Sequence, residues 1–189
     1  MFRPKIFFSF AIFFLYTFSA LVFLPYSSSN KIQAKEREPE VVNIDIDLPS
    51  SSTGSSTGTL AVRIFAPSNL SEARYAEGAP VMVFATGGES AGTLSSQIGR
   101  AEDVIRIVFL YPGGRDTSSG RQSGGTYDYR GANSNLAVRD VILYAAGVLR
   151  DNQNRTIDQV VPVPVLHNNI GIFGSSNGGG DGGCRTTWS

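Results

Sequence analysis

Three short apolar runs set the terms for the rest of this chain. Pro80–Ala85 reads Pro-Val-Met-Val-Phe-Ala, Val104–Tyr111 reads Val-Ile-Arg-Ile-Val-Phe-Leu-Tyr, and Ile170–Phe173 reads Ile-Gly-Ile-Phe. Runs of this length, bounded by turn residues, suit strands of a parallel sheet covered on both faces. The first is followed by Thr86-Gly87-Gly88 and the second by Pro112-Gly113-Gly114. Between the second and third runs lies the strongest helical pattern, Asn135–Arg150. Its Val138, Val141, Ile142, Ala145, Val148 and Leu149 recur at spacings of three and four. Asn133 or Ser134 is expected to cap its start. A weaker helical pattern follows the first run and reaches Asp103.

Upstream, two runs alternate instead. Val42, Ile44, Ile46 and Leu48 interleave with Asn43, Asp45 and Asp47, and Leu60, Val62 and Ile64 share one side of a second run. Period two is the mark of a half-buried strand. The Ser/Thr/Gly stretch between them makes the pair an antiparallel hairpin with a long loop. The chain therefore reads as strand, strand, strand, weak helix, strand, strong helix, strand. This order predicts an α/β domain over residues 41–189, with an antiparallel hairpin followed by parallel strands and helices on both faces.

The first 40 residues are of another kind. Arg3 and Lys5 precede the uncharged apolar stretch Ile6–Leu24. It is longer than the ~7–15 residues of a usual signal core and close to the ~20 that span a bilayer. Pro25 and Ser27-Ser28-Ser29 follow, as suits a cleavage region. Residues 1–29 are expected to be a signal peptide or a signal anchor, and 30–40 a polar linker. Either way the domain is exported, and it touches the membrane only if the segment is uncleaved.

Net charge is +0, which gives no electrostatic case for nucleic acid as a partner. Cys184 and His167 are the only residues of their types, so no Cys- or His-rich metal site is expected. The glycine run Gly178–Gly183 fits G-x-G-x-x-G, but a dinucleotide site needs a helix next and an acid about 20 residues on. No cofactor is expected. Asn69-Leu70-Ser71 and Asn154-Arg155-Thr156 are glycosylation sequons, relevant if the source glycosylates exported proteins.

Gly174-Ser175-Ser176-Asn177-Gly178 fits G-x-S-x-G directly after the third apolar run. Gly makes up 21 of the 189 residues, so the pattern arises easily by chance, and its weight comes from the order upstream. In a nucleophile elbow a serine sits on a tight strand-to-helix turn, with its hydroxyl beyond the end of the strand. Ser176 is the candidate nucleophile.

On these features the chain resembles the α/β-hydrolase superfamily over Val41–Gly180: the hairpin at the start, the Gly87-Gly88 turn, the helix at Asn135–Arg150 and the elbow at Ser176. The likeness is nearest to the secreted esterase and dienelactone-hydrolase-like branches. It implies attack by Ser176 on an ester or related carbonyl of a small molecule. The oxyanion would be held by the backbone N–H groups of Asn177 and Gly88, with Glu89 the nearest alternative to Gly88.

The family order also places an acid and then a histidine after the serine. Here Asp181 is the one carboxylate after Ser176, and no histidine follows. His167 lies nine residues before Ser176. An extended segment at roughly 3.3 Å per residue puts it more than about 20 Å from the hydroxyl, whereas a general base works at about 3 Å. His167 is expected to be a strand-end residue and Asp181 a turn residue. The glycine-rich tail disfavours a helix after the elbow, so the sheet is expected to be an incomplete α/β-hydrolase sheet. A premature stop, a frameshift near Gly180 or a partial gene model would account for that. The expected function is an exported serine hydrolase lacking the acid and histidine of its triad, weakly active or inactive. The alternative is a non-catalytic, membrane-tethered binding or interaction protein on a partial hydrolase fold. Its contact would be the Gly/Ser-rich stretch Arg115–Ala132, with Tyr127, Tyr129, Arg121 and Arg130, which otherwise reads as a mobile surface loop or as a substrate-contacting loop.

Overall fold

A computed structural model describes residues 40–87, 89–95 and 103–176. Its sheet has five strands: β1 (Val41–Pro49), β2 (Thr59–Pro67), β3 (Ala79–Ala85), β4 (Ile105–Phe109) and β5 (Val165–Gly174). Their order across the sheet is β1-β2-β4-β3-β5. β1 and β4 both pair with β2 in the antiparallel sense, while β4 and β5 flank β3 in the parallel sense. The apolar segment 6–24 and the linker lie outside the described residues. Among the described residues no helix is long and apolar enough to cross a membrane.

Register explains why the hairpin residues alternate. Ile44 faces Ile64, Ile46 faces Val62 and Leu48 faces Leu60, so these side chains share one face. Arg63 and Asp45 pair on the other, with Nε 2.7 Å from Oδ1. That hydrogen bond from Arg63 holds the Asp45 carboxyl below its ordinary value.

The continuous runs of β3 and β4 split the same way between two cores. Val81, Val83, Ile105, Ile107 and Phe109 join the hairpin residues in the larger cluster. Phe84, Val108 and Leu110 point to the opposite face and meet Ala61 and Leu94 in a smaller one. Each fully buried Val, Leu or Ile contributes about 1.5–3 kcal/mol, so the larger cluster carries most of the apolar stabilisation.

The α-helix α1 (Ala132–Ala145) covers the larger cluster with Ala137, Val138, Val141, Tyr144 and Ala145. It is displaced toward the N-terminus relative to the predicted Asn135–Arg150. At its start the cap is neither Asn133 nor Ser134. Gly131 is the capping residue and lends no side chain. Asp128 instead accepts hydrogen bonds from the backbone N–H groups of Gly131, Asn133 and Ser134 and from the Ser134 hydroxyl. Burial pushes this carboxyl up, but the Ser134 hydroxyl and the three N–H groups outweigh it and hold it below its ordinary value. At its end Gly147 takes φ +74° and turns the chain away. Val148, expected on the apolar stripe, is 65% exposed as a result.

Helices were expected on both faces; among the described residues one face carries α1 and the other carries Leu94 and its neighbours. The weak helix does not begin at residues 89–95. That segment bends, and Gly92 bridges Leu110 with φ +98°. A Cβ on Gly92 would come within 2.6 Å of the Phe109 carbonyl oxygen, so backbone lies against backbone there. Residues 96–102 lie outside the described set.

The strand order has a consequence for function. From β3 the chain moves to β4 on one side, then crosses through α1 to β5 on the other. The direction in which the chain winds across the sheet thus reverses between β3 and β5. In open α/β sheets such a switch point leaves a crevice where ligands bind.

Candidate active site

Ser176 lies at that switch point. The β3–β5 ladder continues past the strand as far as Ser175, whose N–H donates to the Ala85 carbonyl at 3.3 Å. The next residue, Ser176, has φ +50° and is exposed. Left-handed backbone is unusual for a residue with a side chain and costs of order 1–3 kcal/mol. A nucleophile elbow puts its serine in strained backbone at a sharp turn, and the φ of Ser176 meets the first of these conditions.

The turn after β3 lies directly against it. The Gly87 N–H donates to Ser175 Oγ at 3.0 Å. A Cβ on Gly87 would be 2.1 Å from the Ser175 carbonyl oxygen and 2.8 Å from Ser176 Cβ. Only glycine lets the two turns meet so closely. Gly88 and Asn177, the expected oxyanion donors, lie outside the described residues, as does Asp181. Glu89, the alternative donor, is in an exposed bend.

A third element closes over the same end of the sheet. Tyr111 follows β4 and is fully buried. The Arg130 guanidinium carbon sits 3.7 Å from the centroid of the Tyr111 ring, and its Nη2 donates to the Thr86 carbonyl. One side chain thereby joins the ends of β3 and β4. Tyr127 stands 6.2 Å from Tyr111, ring to ring, and Tyr129 5.0 Å from Tyr127. Tyr129 and Arg130 are both left-handed, at φ +52° and +70°.

This corrects the reading of residues 115–132 as a mobile surface loop at residues 121–124 and 130, which are bonded to the sheet, whereas the bonds of Asp116 and Gly120 stay within the loop. Arg121 donates to the carbonyls of Val62 and Ile46 and pairs with Asp45 and Asp47. The Ser123 hydroxyl accepts from Ala61 N–H and donates to the Leu110 carbonyl. The Gly124 N–H donates to the Thr59 carbonyl. Glycine and serine serve here as close-approach and bridging residues. Composition alone reads them as flexibility.

His167 is near the start of β5, at the other end of the strand. Its Nε2 is 2.8 Å from Asp158 Oδ1 and its Nδ1 is 3.3 Å from the Ala145 carbonyl at the end of α1. Gly147 makes room for the ring, since a Cβ there would be 3.1 Å from His167 Cε1. The imidazole ties the helix end to the strand and has no path to Ser176.

The sequence offers no signal for Thr86 and Tyr111 as site residues, and points to Arg130 only as a member of the loop. Tyr127-Asp128-Tyr129-Arg130 inside a Gly/Ser-rich stretch was the available signal, because aromatic and arginine residues are out of place in a flexible linker.

No group of three or more metal-ligating side chains occurs among the described residues. An open cavity of about 490 Å³ lies at the β1–β2 loop, lined by Pro49, Ser50, Ser51, Gly54, Ser55 and Ser56. It is at the opposite edge of the sheet from Ser176 and holds no charged group. No protein-family model matches this chain, and no curated protein matches it.

Proposed function

We propose that this chain carries the nucleophile of an exported serine hydrolase of the α/β-hydrolase type, acting on an ester or related carbonyl of a small molecule. Ser176 attacks the carbonyl carbon, and the backbone N–H groups of Asn177 and Gly88 receive the charge that develops on the oxygen. The segment 6–24 directs export and tethers the domain if it is retained. The observation that carries this reading is the contact between two turns: the left-handed Ser176 after β5 and the glycine turn after β3, joined by the Gly87–Ser175 hydrogen bond.

The chain's sole histidine is engaged by Asp158 and Ala145 at the far end of β5. A serine without a base is a poor nucleophile at neutral pH, so turnover by this chain on its own is expected to be negligible. That engagement favours a second reading, a membrane-tethered, non-catalytic binding or interaction protein on a partial hydrolase fold, with its contact at residues 115–132.

A fluorophosphonate probe separates the two. The hydrolase reading expects slow labelling confined to Ser176, absent in Ser176→Ala and faster as pH rises. Added imidazole should raise the rate about tenfold or more by standing in for the missing base. Labelling no faster than in urea-unfolded chain would sink it. Brisk labelling at neutral pH, lost in Ser176→Ala, would mean that a base is within reach after all.

A further inference from the structure

The tyrosines beside the elbow form a graded series. Tyr111 is fully buried, Tyr127 is half-buried and Tyr129 is 79% exposed. Successive ring centroids are 6.2 and 5.0 Å apart, with tilts of 52° and 45°. These are the separations at which aromatic rings attract one another edge to face. The series therefore runs from the core to solvent and ends in an uncovered ring.

Backbone strain holds that last ring outward. Tyr129 and Arg130 are consecutive left-handed residues without a glycine between them, a conformation that persists only where the surroundings enforce it. The enforcement is visible on both sides. Asp128 is fixed to the first turn of α1, and Arg130 is fixed to Tyr111 and the Thr86 carbonyl. Thr86 adjoins Gly87, which touches Ser175 and Ser176. The exposed ring is thus tied through Arg130 to the turn that faces the candidate nucleophile.

We propose that Tyr127 and Tyr129, held beside the turn after β3 by Arg130, form a subsite for a flat aromatic ring, so that the ester taken at Ser176 carries an aryl group. The substrate class rests on the reading of Ser176 as the nucleophile; the ring site itself does not. A flat arene extends the tilted series by one more member. A saturated ring of the same size gains only the area it covers. A cationic group is disfavoured, because the Arg130 guanidinium already lies 5.6 Å from the Tyr127 ring centroid and repels it.

The test is a titration of the full chain, isotope-labelled for amide NMR, with three probes that cannot be hydrolysed quickly: N-phenylacetamide, N-cyclohexylacetamide and tetramethylammonium. N-phenylacetamide should shift the amides of Tyr127, Tyr129, Arg130 and Gly87 together and bind about three- to tenfold more tightly than the cyclohexyl amide. Tyr129→Phe should keep that preference and Tyr129→Ala should abolish it; the side chain is exposed, so folding is not at issue. Equal affinity for the two amides, a preference that survives Tyr129→Ala, or tighter binding of tetramethylammonium would each overturn the subsite. Fluorophosphonate labelling is scored separately. Labelling of Ser176 without an aryl preference would remove this inference alone. An aryl preference with no Ser176 labelling would remove the hydrolase reading and leave a binding site for aromatic rings.

Discussion

At its start β5 carries His167, whose two ring nitrogens meet a carboxylate and a helix-end carbonyl, in a pocket that Gly147 leaves open. At its far end the same strand turns at Ser176 with a left-handed backbone and an exposed side chain. The first end bulges out of register with β3, and its imidazole lies between Asp158 and the Ala145 carbonyl. The second is strained and is held in place from outside by Gly87, Thr86 and Arg130. Contacts of that kind tie one element to another and stabilise a fold. Strain that persists next to an open side chain is of the kind that clusters at functional sites. The contrast separates the chain's two polar candidates more sharply than residue type does, since histidine is by habit the first residue suspected of catalysis.

The largest blow to the strained end should come from Gly87→Ala. Its new Cβ would meet the Ser175 carbonyl, which is backbone and cannot swing aside. We expect a loss of about 3 kcal/mol in urea unfolding and disappearance of Ser176 labelling. Unchanged stability would mean that the two turns are not in contact. Arg130→Ala comes next. It removes the stack on Tyr111 and the bond to Thr86, for about 2 kcal/mol, and Arg130→Lys should recover less than half because ammonium cannot stack as a plane.

Asp128→Asn should cost about 1 kcal/mol at neutral pH by weakening the cap of α1. The folded carboxyl lies below its ordinary value of 3.8. Its contribution is therefore complete above that value and is lost as pH falls through the lower folded one. The gap between native chain and variant should narrow as pH falls below about 4, and chemical unfolding at pH 3 and pH 7 measures it. The smallest effect belongs to the His167 end. His167→Ala should cost about 0.5–1 kcal/mol and leave the rate of Ser176 labelling unchanged. A labelling rate that fell with His167 would break the comparison outright.

Much of this arrangement was open to a reading of the residues alone. The apolar runs 80–85 and 104–111 became β3 and β4 because period two puts alternate residues into separate cores, and β strands need no distant help to show it. β5 extends well before its apolar core at 170–173, because His167, Asn168 and Asn169 are exposed and carry no hydrophobic signal. The start of α1 was misjudged because its capping carboxylate, Asp128, stands outside the local window. Its end was misjudged because Gly147 sits inside an otherwise apolar stripe. The anchoring of residues 121–124 has no signal in the sequence. Arg121 finds its carbonyl in Ile46, 75 residues away, and nothing local distinguishes it from a solvated arginine. Ser176 was found by pattern, but its backbone strain and its contact with Gly87 are tertiary facts.

The position of β4 between β2 and β3 governs the sequence in which this sheet can be assembled. The amino-terminal hairpin has everything it needs to close as soon as residue 67 is available. Its inner edge, however, must wait for residues 105–109, and β3 receives its second neighbour only when residues 165–174 arrive. Until then β2 and β3 each offer unpaired backbone to any passing strand. Such late, non-local pairings slow folding and favour misassembly, so a chaperone that shields these two edges would raise the yield of native protein more than one that acts on α1.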